Sequence, residues 1–118
     1  MKLKLVLWLL SLLLKRALRR KPRFREKLER MRRLDWGVAT EDLSICRYYR
    51  MSPEGITSAR GLPVDLDLEL RFADADTALK ILRKPTQQAF LEGMMANKVR
   101  VVGDTGDMTR LQSLLKHL

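Results

Sequence analysis

Nine consecutive residues, VDLDLELRF at 64–72, alternate without a break between apolar and charged side chains. Val64, Leu66, Leu68, Leu70 and Phe72 fall on one side of an extended chain, and Asp65, Asp67, Glu69 and Arg71 fall on the other. Successive side chains of a strand point to opposite faces, so this period of two predicts a strand with one buried and one wet face. A chain holding such a strand must build a sheet and cover one side of it. The acids on the wet side lie about 7 Å apart along the strand, too far to chelate one ion, and no His joins them. They read as a solvated face, and no metal site is expected.

The flanking segments supply the remaining layers. LSICRYYRM (43–51) is rich in strand formers, SPEG (52–55) reads as a turn, and ITSAR (56–60) is a short strand closed by Gly61 and Pro63. Asp74 or Asp76 can cap a helix that runs to about Arg83, with Ala75, Ala78, Leu79 and Leu82 on its apolar side. Pro85 ends it, and Thr86 can cap the next helix, QQAFLEGMMA, whose apolar positions are Ala89, Phe90, Met94 and Met95, with Leu91 adjoining. Val99, Val101 and Val102 form a strand that Gly103 ends. Asp104, Thr105 or Asp107 then caps a last helix, with Leu111, Leu114, Leu115 and Leu118 on one side. The fold class is therefore α+β, a small, mostly antiparallel sheet with helices over one face, preceded by an N-terminal helix.

The N-terminal segment has a different character. The chain has 118 residues, enough for one globular domain, and a net charge of +10. Residues 2–33 hold 13 of the 24 Lys and Arg against Glu26 and Glu29, whereas residues 35–118 hold 11 basic and 12 acidic side chains. The basicity thus belongs to the first segment. Residues 3–14, LKLVLWLLSLLL, form an apolar run of about 18 Å as a helix, short of the roughly 30 Å of a bilayer core. The following KRALRRKPRFR places arginines where a signal peptide would carry its small-residue cleavage site, which argues for an uncleaved segment. The run can lie in a membrane surface or pack on its own domain or a partner. The surface reading is preferred, with Leu5, Trp8, Leu9 and Leu12 inserted and Lys15, Arg16, Arg19 and Arg20 on anionic headgroups. Residues 23–36 read as a second helix with a stripe of Phe24, Leu28, Met31 and Leu34. The expected division is an anchor at 1–36 and a body at 37–118. The arginine-rich stretch also raises nucleic acid as a partner, which no recognised binding motif or aromatic interleaving supports.

The residue types of catalysis are sparse. The only His is His117, the only cysteine is Cys46, and there is no CxxC, HExxH or Walker sequence. Cys46 sits in an apolar run and reads as a buried small residue. The sequence GDTGD (103–107) lacks the Lys of a phosphate loop, and its acids would repel phosphate, so it reads as helix capping. Neither an enzymatic activity nor a cofactor is expected.

The segments VDLDLELRF, ADADTALKILRK, TQQAFLEG, KVRVVGD and TRLQSLL follow one another as in a known family. Over roughly residues 43–117 the chain resembles the sterol carrier protein type 2 lipid-binding domains. The resemblance implies an apolar cavity between sheet and helices for a fatty-acyl, sterol-like or isoprenoid molecule. Some bacterial relatives are accessory factors in ubiquinone biosynthesis, which adds a quinone precursor to the ligand classes. Leu79, Leu82, Phe90, Leu91, Met94, Met95, Leu111 and Leu115 would line that cavity or fill the core. Two departures stand out. MMAN (94–97) inserts about one helical turn before the valine strand, and the family's first strand has no counterpart, since the residues before it read as helical. A smaller sheet with an open edge and a more open pocket is expected. The reading is a non-catalytic lipid carrier or accessory protein held peripherally at the cytoplasmic face of a membrane. The alternatives are a membrane-anchored scaffold that binds a protein partner, or a second copy, through the open sheet edge, and a basic nucleic-acid binder.

Overall fold

Leu34–Thr40, LDWGVAT, is a strand (β1) that is buried along its whole length, and it lies at the centre of the sheet. It is the strand that the sequence reading lacked. A computed structural model describes residues 2–84 and 86–115 of the chain, so Pro85, His117 and Leu118 lie outside the described residues. The other elements are α1 (Lys2–Arg20), α2 (Pro22–Met31), β2 (Cys46–Ser52), β3 (Gly55–Arg60), β4 (Leu68–Phe72), α3 (Ala75–Arg83), α4 (Gln87–Met95), β5 (Val99–Gly103) and α5 (Thr105–Leu115). The strands form one five-stranded sheet in the order β3-β2-β1-β4-β5. β1 pairs with β4 in parallel, and every other neighbour is antiparallel.

The mostly antiparallel sheet is as expected, but the first strand expected to be absent is present as β1, which makes five strands, and the predicted second helix ends at Met31 instead of reaching residue 36. Arg32 takes a left-handed conformation (φ 68°) and its N–H closes on the Leu28 carbonyl, which stops α2. β1 escaped a period-two reading because both of its faces are covered. Leu34, Trp36 and Val38 join the core, and Asp35, Gly37 and Ala39 face the other way. Gly37 leaves a hollow there, which the side chains of Leu62 and Leu66 fill: a Cβ on Gly37 would stand 2.6 Å from Leu62 and 2.9 Å from Leu66. Leu66 thus packs on the face opposite Leu68, and β4 begins only at Leu68. The alternation of residues 64–67 belongs to a loop, in which Val64 is fully exposed. Asp67 fastens this loop to β1, its carboxylate accepting from the Asp35 N–H (3.0 Å) and its own N–H reaching the Asp35 carbonyl (2.9 Å).

The capping expectations fit the geometry. The Asp74 carboxylate accepts from the Thr77 N–H and the Thr86 hydroxyl from the Ala89 N–H, satisfying donors that a helix start leaves free. The residues MMAN end α4. Asn97 is left-handed (φ 58°), its N–H meets the Met94 carbonyl and that of Lys98 meets the Gly93 carbonyl, the pair of bonds that closes a Schellman motif. Gly103 ends β5 at φ 128°, where a side chain would meet the Asp67 carbonyl at 2.5 Å.

On the helix side the core gathers Trp36, Tyr49, Met51, Leu68, Leu70 and Phe72 from the sheet. Trp36 and Tyr49 stack with centroids 4.6 Å apart. α1 lies over them, burying Leu3, Leu7, Leu10, Leu14, Ala17 and Leu18, spaced three and four apart. The Tyr49 hydroxyl, buried, donates to the Leu7 carbonyl at 2.6 Å. The first twenty residues therefore complete the same core as the sheet.

Two outcomes follow for stability. Leu7→Ala and Leu14→Ala should each lower the unfolding free energy by about 2–5 kcal/mol in urea titrations, whereas Leu9→Ala and Leu12→Ala on the other side of α1 should change it by less than about 0.5 kcal/mol. Equal losses on both sides would contradict this placement of the helix. Burial pushes the Tyr49 hydroxyl above its ordinary value of 10.0. The unfolded chain releases that proton near pH 10 and the folded chain holds it, so stability falls as pH rises beyond that point. Tyr49→Phe should lose about 1 kcal/mol at neutral pH. Its urea midpoint should then decline less steeply than that of the wild type above pH 10.

Candidate functional site

α1 is apolar almost all round, so burying one face leaves another bare. Leu5, Trp8, Leu9, Leu12 and Leu13 recur at helical spacing on the outward side, each between 42% and 55% exposed. They form a continuous strip. Four of these five residues were expected at a membrane surface, and Leu13 adds to them. Lys15, Arg16, Arg19 and Arg20 are exposed on the last turns of the same helix. Among the described residues no helix is long and apolar enough to cross a membrane.

Concavities flank the N-terminal half of this strip on both sides. Between α1 and α3 lies one of about 690 Å³, whose apolar lining comes from Leu5, Val6 and Leu79 and whose rim holds Lys2, Asp76, Lys80 and Arg83. Between α1 and the β2–β3 hairpin lies another of about 470 Å³, walled by Leu7, Trp8, Leu43 and Ile45 and bordered by Lys4, Arg47 and Arg60. Trp8 belongs both to the strip and to this second concavity. Cys46 also borders it, half-buried, with its Sγ donating to the Leu43 carbonyl at 3.3 Å. Burial pushes that thiol up, so at neutral pH it stays protonated and is a poor nucleophile.

The eight residues expected to line a cavity or fill the core do not converge on one place. Phe90, Leu111 and Leu115 are buried in the core, and Leu79 and Leu82 are half-buried, Leu79 reaching the α1–α3 concavity. Leu91, Met94 and Met95 face outward from α4. The reason lies in Gly93, whose missing side chain lets α4 close on Val99 and Ile81: a Cβ there would stand 2.6 Å from Val99. That approach turns Phe90 and Gly93 inward and the other three out. Sequence reasoning overlooked Lys4, Arg47 and Arg60. The signal was present, because Arg47 alternates with Tyr49 and Met51, and Arg60 with Ser58 and Ile56, which puts both arginines on the helix side of the sheet.

The outer face of the sheet is polar and internally neutralised. Asp35, nearly buried, accepts from Arg33 and from Arg50 (3.0 Å), and Arg50 also binds Asp65 (3.0 Å). The Arg50 hydrogen bond holds the Asp65 carboxyl below its ordinary range. Glu69 pairs with Arg71 and Glu41 with Arg100. Among the described residues no cluster of His, Cys, Asp and Glu is arranged to hold a metal ion. The wet-face acids of the sequence reading are engaged by arginines or by backbone.

Neither a family model nor a curated protein matches the chain. Solved structures do. A protein described as UbiJ-SCP2 ubiquinone synthesis protein superimposes with a TM-score of 0.70 at 21% identity, covering 96% of this chain and 95% of that one. Sterol carrier protein 2 from Yarrowia lipolytica, in its apo form, gives 0.60 at 12% identity over 92% of this chain and 88% of its own. Sterol carrier protein 2 like 2 from Aedes aegypti gives 0.54 at 12% identity, over 92% of this chain and 95% of that one. On this likeness the fold of the chain is that of the sterol carrier protein 2 domains.

Proposed function

We propose that the chain is a non-catalytic lipid-binding protein that works at a membrane surface, taking a fatty-acyl or isoprenoid ligand such as a quinone precursor. The observation that carries this reading is the bare apolar strip of α1, Leu5, Trp8, Leu9, Leu12 and Leu13, set between concavities with apolar walls. Soluble monomers rarely leave such a strip uncovered. Its setting, with cations along the helix and an aromatic at the edge, suits the interface of an anionic bilayer. The sterol carrier fold and the ubiquinone-synthesis description of one structural neighbour support the ligand class. The membrane in question is the inner face of the cytoplasmic boundary, with the protein attached peripherally.

A second reading is favoured by a different patch. Leu91, Met94 and Met95 are exposed on α4, which packs through Gly93 on Val99 of the edge strand β5. An apolar patch beside an open sheet edge suits a protein partner or a second copy of the chain. This edge is β5, because β1, which was thought missing, fills the middle of the sheet.

Native mass spectrometry of the purified protein, followed by solvent extraction, should reveal a bound lipid or quinone, and a clean apo mass would sink the carrier reading. Removing residues 2–14 is a poor test of membrane contact, because it strips Leu3, Leu7, Leu10 and Leu14 from the core. The double substitution Leu9→Ser and Leu12→Ser spares the core. It should release the protein from sedimenting vesicles with little change in melting temperature, and undiminished sedimentation would refute insertion of the strip.

A further inference from the structure

The arginines of the sheet divide by face. On the outer face Arg50, Arg71 and Arg100 each have a carboxylate partner. On the helix side Arg47 and Arg60 stand directly opposite each other on β2 and β3, and among the described residues neither they nor Lys4 make an ion pair. The Arg47 guanidinium is oriented by the Ser58 hydroxyl, to which its Nε donates at 2.7 Å. Like charges at facing positions of two strands repel, and the fold keeps this pair with no acid between them. Arg47 is half-buried, which sharpens the need for a counter-charge.

Lys4, Arg47 and Arg60 border the concavity of about 470 Å³ whose walls are Leu7, Trp8, Leu43 and Ile45. A ligand that satisfies all of these has an anionic head and an apolar body. A free ion would neutralise the cations and leave the apolar walls wet. A neutral lipid would do the reverse. Trp8 carries the apolar wall outward into the exposed strip, so the site opens where the strip would meet a bilayer.

We infer that Lys4, Arg47 and Arg60 form a headgroup site for an anionic membrane lipid, seated between the N-terminal half of α1 and the β2–β3 hairpin, with the lipid's apolar part along Leu7, Trp8 and Ile45. Guanidinium groups suit this role because their planar fork meets phosphate or carboxylate oxygens in pairs. The site sets the orientation of docking. The open end of the β2–β3 hairpin, opposite its turn, faces the membrane together with the first turns of α1, and the arginines at the far end of α1 add only a general attraction. This inference rests on the membrane-contact reading above and adds lipid selectivity to it.

Sedimentation with phosphatidylcholine vesicles, and with the same vesicles containing phosphatidylglycerol, tests the site. The wild type should prefer the anionic vesicles. Arg47→Gln with Arg60→Gln should weaken that binding roughly tenfold or more, and Lys4→Gln by a smaller factor, while binding to neutral vesicles is unchanged. Removing the same two charges from α2, as Arg23→Gln with Arg30→Gln, should leave the preference nearly intact. Because the facing arginines repel, the melting temperature of the Arg47/Arg60 variant should equal or exceed that of the wild type; a collapse would make the pair structural and overturn the site. Equal losses from the α2 variant would assign the preference to net charge and overturn it too. Release from anionic vesicles by inorganic phosphate at constant ionic strength would mark a free-anion pocket instead. If the wild type binds both vesicles equally, membrane contact stands and the headgroup site falls. If it binds neither, both readings fall.

Discussion

The burial of Trp36 and Tyr49 beneath α1 is the constraint on which the rest of the structure depends. The stacked rings occupy the middle of the helix-side face, on the two strands that lie deepest in the sheet order at that end. Each ring brings a large apolar area that must leave water, and the buried face of α1 joins the same core. The hydroxyl of Tyr49 would be stranded by that burial, and the Leu7 carbonyl satisfies it. The helix that closes the core is therefore also the helix that shows an apolar strip to solvent. A helix with a polar outer face would have closed the core equally well, so the strip is surplus to folding.

Much of the architecture was legible in the sequence because it rests on local rules. Asp74 and Thr86 announce helix starts, Gly103 marks a strand end, and β2, β3 and β5 follow β-branched and aromatic runs. What stayed hidden depends on long-range partners. LDWGVAT lacks a period of two because Asp35 is held by arginines and Gly37 is roofed by Leu62 and Leu66, and no local pattern reports either. The alternation of residues 64–72 was real, but its first half obeys the hollow at Gly37 and not the ladder of β4. In α1, leucines on every side conceal which side faces inward, since an all-round apolar helix has no preferred face to read. The residues MMAN looked like an insertion and form an ordinary helix end, with Asn97 in the left-handed position.

The candidate site was less legible than the fold for the same reason. The outward residues of α1 could be named from composition and spacing, but the cations that border the concavity come from three elements, α1, β2 and β3. Lys4 is 43 positions from Arg47 and 56 from Arg60 (47 − 4 and 60 − 4). Only the hairpin register brings the arginines face to face, and only the seating of α1 brings Lys4 to them. The sequence concentrates its charge in residues 2–33, and at the far end of α1 these cations are numerous and exposed.

The two faces of the sheet differ in how they are held. The outer face is fixed by directional contacts, the Arg33–Asp35–Arg50–Asp65 network and the paired bonds between Asp35 and Asp67. On the helix side, among the described residues, no ion pair ties α1 to the sheet. Its attachment is leucine packing plus the Tyr49 hydrogen bond. Apolar packing is non-directional and accepts the exchange of one apolar group for another, whereas an ion-pair network tolerates little displacement. The outer face, cross-linked by ion pairs, is therefore the fixed one, and the helix side, where Arg47 and Arg60 have no carboxylate partner among the described residues, is the one that can give.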